Sequence, residues 1–153
     1  MQNNAFDWMQ SLFGRRPTPE RPEISDAAAV TALLVRAARA NNDYNPAQVA
    51  EIDRVTGARF GLSAWDLIAL RRQAEALEEA VGDTVHLTRR IKEAIALEDR
   101  PALLHDLWSV ILADGQRHHE EDGLMRLVSN LLGLADRDSA IARQRVQAAR
   151  ATG

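Results

Sequence analysis

Asp114, Glu120, Glu121 and Asp122 place four carboxylates within nine residues, with His118 and His119 between them. Hard divalent cations are held by several converging oxygens at roughly 2.0–2.6 Å. Asp114 in a loop and Glu121 one turn into the following helix could face each other across such an ion. The same acids have a plainer use, because carboxylates at a helix N-terminus accept its unpaired N–H groups and oppose its dipole. His118 and His119 are neighbours, so they diverge at a helix start and do not chelate one metal together. A Zn or Ni site would need a further ligand, with Asp122 the nearest. Both histidines are expected to be solvated loop residues.

A related stretch stands upstream. Ala40-Asn41-Asn42-Asp43-Tyr44-Asn45-Pro46-Ala47-Gln48 leads into a run ending at Phe60-Gly61-Leu62, as Ala113-Asp114-Gly115 leads into one ending at Leu132-Gly133-Leu134. Each follows an alanine- and leucine-rich helix and precedes a polar cap, Ser63 or Asp136. This predicts a duplicated helix–polar loop–helix unit with both loops on one side of a bundle. Asn41, Asp43, Asn45 and Gln48 would add neutral or charged oxygens to Asp114 and Glu121. The candidate metal-ligating set is therefore Asp114, Glu121, Asn41 and Gln48. Asn41-x-Asp43-x-Asn45 is no EF-hand, since Pro46 and Ile52 occupy the places of its glycine and its bidentate glutamate.

An enzyme would need another arrangement. Helical metal phosphohydrolases use a His, a His-Asp pair and a later Asp around a metal, and His86, His105-Asp106 and Asp122 give an outline of that set. The rest of the constellation is missing, and a His-Asp pair occurs routinely on an amphipathic helix. There is no Gly-rich phosphate loop, nucleophile elbow or cysteine–histidine pair.

The elements that must carry these residues read as helices throughout. Ser25 caps the first, whose apolar face is Ala29, Val30, Leu33, Leu34, Ala37 and Ala38, ending near Ala40. Pro46 opens the second, with Val49, Ile52, Val55 and Phe60 inward, and Gly61 closes it. Ser63-Ala64-Trp65-Asp66 starts the third, which runs to Ala80 before Gly82. Thr84 to Ala96 is the fourth, with Val85, Leu87, Ile91 and Ile95 inward. Asp99 is expected to cap the fifth, which has Pro101 near its start and Leu103, Leu104, Leu107, Trp108 and Ile111 on its face. Leu124, Leu127, Val128, Leu131 and Leu132 build the sixth, and Asp136 caps a seventh over Ala140 to Ala149. Strand-like alternation is absent. The expectation is an all-α single bundle of about seven helices, residues 25–150.

Residues 1–24 differ. Phe6, Trp8, Met9, Leu12 and Phe13 form a short amphipathic helix, followed by Arg15-Arg16 and a proline-rich linker. This segment would dock on the domain, hang free, or touch a membrane surface with its arginines at anionic headgroups.

Composition narrows the function. With 153 residues, 46% hydrophobic and 27% charged, the chain supports one domain with an aliphatic core. Net charge is −3 with no basic stripe, which argues against nucleic acid. Without cysteine there is neither a disulfide nor a thiolate metal site. No apolar run is long enough to span a bilayer and no secretory signal is recognisable, so the cytoplasm is the expected compartment.

Ala113-Asp114-Gly115, with Glu121 seven residues after the aspartate, resembles the signature of the TerB-like family, small helical proteins named for bacterial tellurite resistance. The likeness spans about Ala28 to Arg145 in helix order. The upstream stretch departs from the pattern: Asn41 stands for Asp, Asn42 for Gly and Gln48 for Glu. The acidic, cation-binding surface that the resemblance implies therefore transfers to Asp114 and Glu121 alone. It also implies a binding or adaptor module with a protein partner, linked to tellurite or metal stress. The competing expectations are a metal-dependent hydrolase using the same loops and a helical bundle that only binds a partner.

Overall fold

The computed structural model describes residues 25–152, and among them the chain is all-α with no strand. Seven helices follow one another: α1 Asp26–Ala38, α2 Pro46–Phe60, α3 Ala64–Ala80, α4 Thr84–Ala94, α5 Arg100–Ile111, α6 His119–Leu131 and α7 Asp136–Thr152. Short 3-10 turns at Arg39–Asn41 and Leu97–Asp99 follow α1 and precede α5. The N-terminal helix and linker expected over residues 1–24 lie outside the described residues.

Local chemistry fixes most of the boundaries. Ser25 Oγ accepts the Ala28 N–H at 3.1 Å and starts α1. Asn45 caps α2 with Pro46 in its first turn, and Gly61 closes it at φ +63°, a conformation that suits a residue without Cβ. Ser63 Oγ accepts the Asp66 N–H at the start of α3, and Asp83 Oδ1 accepts the His86 N–H at the start of α4.

The centre of the bundle is α1. Ten of its thirteen residues are buried, so it has no solvent face, and it packs against α2, α3, α4, α5 and α6. Such a helix must be apolar all round, and Ala28 to Ala38 is, apart from Thr31 and Arg36. Thr31 donates to the Ala27 carbonyl at 2.7 Å, so its hydroxyl is buried with its bond made. Arg36 reaches the far end of α3, donating to Glu78 Oε2, to the Glu78 and Val81 carbonyls and to Thr84 Oγ1. The last helix, α7, lies across α5 and α6.

Several expected details are corrected. α4 stops at Ala94, and Ile95 leaves helical geometry as its cap. Val85 points outward, 42% exposed, because the buried stripe of α4 is Thr84, Leu87, Thr88 and Ile91. Asp99 makes no side-chain cap. It already has helical backbone angles, inherited from the 3-10 turn before it. In α6 the buried stripe is Glu121, Met125, Val128 and Ser129, and Leu127 is 46% exposed. Two polar residues on that stripe conceal its register: Ser129 hides by donating to the Met125 carbonyl at 2.8 Å, and Glu121 by accepting the His118 N–H at the start of its own helix.

Candidate functional site

The two polar loops, residues 39–45 and 112–118, are in contact. The Asn45 side-chain amide donates to Asp114 Oδ2 at 2.9 Å, and α6 packs on the 3-10 turn of the first loop. The loops of the upstream and downstream stretches thus share one environment.

They also share local geometry. Asn41 Oδ1 accepts the Asp43 N–H at 3.1 Å, and Asp114 Oδ1 accepts the Gln116 N–H at 3.0 Å. The next residue in each loop is left-handed, Asn42 at φ +64° and Gly115 at φ +80°. Asn and Gly are the residues that tolerate this conformation best. Asn45 and His118 are then the N-caps of α2 and α6. Three residues on, Gln48 Oε1 accepts the Asn45 N–H at 3.3 Å, and Glu121 Oε1 accepts the His118 N–H at 2.8 Å. Gln48 and Glu121 are both fully buried.

Capping is therefore the directly visible work of Gln48 and Glu121, and loop-tightening that of Asn41 and Asp114. It leaves three atoms unaccounted for. Gln48 Nε2, His118 Nε2 and Glu121 Oε2 are buried without a hydrogen-bond partner among the described residues. A buried polar atom in that condition costs about 1–3 kcal/mol. Burial pushes the Glu121 carboxyl above the usual range, and the nearby Asp114 and Asp122 charges push it the same way. The backbone N–H and the ring of His118 oppose that shift. His118 is accordingly a cap with a sealed ring nitrogen and not a solvated loop residue, whereas His119 is exposed.

Each oxygen of the candidate set that accepts a hydrogen bond keeps a second lone pair, so these bonds orient the side chains and still leave coordination capacity. The chemistry of the set suits a hard cation better than a soft one: two carboxylates and two amide oxygens. Among the described residues no three His, Asp or Glu side chains form a ready metal cage. Asp122, the further ligand considered for the histidines, is held by Arg117 at 2.9 and 3.1 Å.

The surroundings fix the loops from both sides. Tyr44 donates its O–H to Glu75 Oε2 of α3 at 2.6 Å, with Arg39 over its ring at 4.9 Å. Burial, then that carboxylate, raises the Tyr44 phenol and keeps it protonated. On the other side Arg150 of α7 donates to the Ala113 carbonyl at 3.1 Å. Neither Asn45 nor Arg150 carries a local signal for these contacts. Pro46 was readable as the opening of α2, but neither the cap made by Asn45 nor its bond to Asp114 was.

The alternative enzyme set is dispersed. His105 and Asp106 line a groove of about 500 Å³ between α5 and α7, and Asp106 is engaged by Arg59 of α2. Asp122 lies in a different groove, beside Trp108 and Arg143.

Neither the curated proteins nor the solved structures searched gave a match to this chain. A family model described as Tellurite resistance protein TerB does match, over residues 27–144. That span begins inside α1 and ends inside α7, so it takes in both loops and every helix that positions them. The chain belongs to the TerB family.

Proposed function

We propose that this protein is a cytoplasmic binding module whose working surface is the joined pair of loops. In this reading a divalent cation sits at Asp114 and Glu121, helped by the amide oxygens of Asn41 and Gln48, and a protein partner docks on the acidic face around it. Membership of a family described as tellurite resistance protein TerB supports a link to tellurite stress, and by extension to metal stress. The observation that carries the proposal is the Asn45–Asp114 bond, which unites two loops from distant parts of the chain beside a buried carboxylate oxygen with no donor. A cation would satisfy that oxygen and offset the repulsion between Asp114 and Glu121.

The test is thermal melting across a panel of divalent metals. A ligand at a hundred times its dissociation constant adds about 2.7 kcal/mol to the native state. Asp114→Asn should abolish the rise in melting temperature, and Asn41→Ala should reduce it less, because a carboxylate holds a hard cation better than an amide. No stabilisation by any metal, or stabilisation that survives Asp114→Asn, would leave these acids as caps.

A further inference from the structure

A second site lies next to the 112–118 loop, in a groove of about 250 Å³ between α5, α6 and the first half of α7. Its floor is Trp108, whose indole N–H donates to Ser139 Oγ at 2.9 Å. Two guanidinium groups stand over that ring, Arg143 at 5.7 Å and Arg117 at 5.8 Å from its centre. They differ in what they do. Arg117 is spent on Asp122, which takes both of its forks. Among the described residues Arg143 has no carboxylate, and its Nε is buried with no partner. Arg126, also in the lining, forms no ion pair among the described residues.

With Arg117 and Asp122 cancelling, the groove holds Arg126 and Arg143 against Asp136 alone, an excess of one positive charge on a chain of net charge −3. Ser139 accepts from the indole and so has its own O–H proton to give. It lies in the first turn of α7, where the helix dipole also favours an anion.

We infer that this groove binds a phosphoryl-type oxyanion, with Arg143 and Arg126 as charged donors and Ser139 as the neutral one. Two planar forks and a hydroxyl present donors from different directions, which matches the several oxygens of a phosphate better than the flat pair of a carboxylate. The volume admits one phosphoryl group with a small substituent and no polymer. Asp136 is the opposing charge and holds the affinity down. This site is independent of the cation at the loops, and it uses none of Asn41, Gln48, Asp114 or Glu121.

The test uses the full chain labelled with nitrogen-15, in which the three tryptophans give three indole signals, assigned by Trp8→Phe and Trp65→Phe. Inorganic phosphate is titrated at ionic strength held constant with chloride, and phenyl phosphate is titrated in a parallel arm. The Trp108 indole signal should shift and saturate, since its acceptor Ser139 joins the anion. The signal of Trp65, 83% exposed, should stay still. Arg143→Gln should weaken binding about tenfold, the effect of one charge-assisted hydrogen bond, and Asp136→Asn should tighten it. Arg126→Gln, at an exposed position, gives the same reading should Arg143→Gln fail to fold. Saturation by both probes identifies a site open to esters, and saturation by inorganic phosphate alone identifies a site for the free anion. A Trp108 shift no larger than chloride produces, or binding indifferent to both arginine variants, overturns the inference.

Discussion

The amide of Asn45 and the carboxylate of Asp114 meet at 2.9 Å across a sequence separation of 69 residues. Asn45 faces two ways: its Oδ1 caps α2 by accepting the Gln48 N–H at 3.0 Å, and its Nδ2 holds the other loop. Asn45→Asp separates these roles, because aspartate caps as well as asparagine but offers Asp114 a second negative charge. The variant should lose about 1–3 kcal/mol at neutral pH in urea unfolding, since the bond is replaced by repulsion in a half-buried setting. A divalent cation should restore more of that loss than it adds to the parent protein, and the loss should shrink once the carboxylates protonate.

Glu121 supplies a pH test. Its folded carboxyl titrates above the ordinary glutamate range because it is buried beside Asp114 and Asp122. The folded state therefore binds the proton more tightly than the unfolded chain does. Stability from this group is present at low pH and is lost as pH rises from the unfolded value through the folded one. Glu121→Gln removes that loss while keeping an oxygen for the His118 N–H. The variant should melt higher than the parent at pH 7, and the gap should close as pH falls to about 4, the unfolded glutamate range. Parallel melts of the two proteins cancel the titrations they share.

Arg36 joins α1 to the end of α3 and the start of α4, with only 15% of its side chain exposed. Arg36→Ala leaves Glu78 half of its ion pairing and strands two carbonyls. Unfolding by urea should show a loss of about 3 kcal/mol. Arg36→Lys should recover little of it, because a single ammonium cannot reach four acceptors in different directions.

Gly115 stands in the left-handed region at φ +80° with open space where a Cβ would go. Gly115→Ala should therefore cost about 1–2 kcal/mol from backbone strain alone, and Gly115→Asn less. Asn42→Gly, at the matching turn of the other loop, should be nearly neutral. Melting temperatures of the three variants decide the point.

Removal of residues 1–23 should leave a cooperative melt, because Ser25 caps α1 with its own hydroxyl. A melt that broadens or vanishes would place Phe6, Trp8 and Phe13 in the core.

The helices were legible where a residue announced a boundary: Ser25, Pro46, Gly61 and Ser63 all stand where their chemistry suggests. Register was less so. Leu127 and Val85 read as inward because apolar type is the available signal, but each is one step off a stripe that carries Ser129 or Thr88, hydroxyls buried by bonding to their own helix. At the site, Asp114 and Glu121 stood out by charge. What the sequence could not display was that Glu121 is sealed from water and that Asn45 crosses to Asp114. Both depend on how α1 seats the two loops together.

The all-round burial of α1 also governs how the chain comes off the ribosome. This helix is made first among the seven, yet α5, which covers one of its sides, is complete only at Ile111. The 73 residues between Ala38 and Ile111 take about 4–15 s to synthesise at ordinary elongation rates. Through that interval Leu33, Leu34 and Val35 have no finished shelter. Synonymous codons that slow translation between residues 38 and 111 should therefore lower the soluble yield, and added holding chaperone should restore it, without altering the finished molecule.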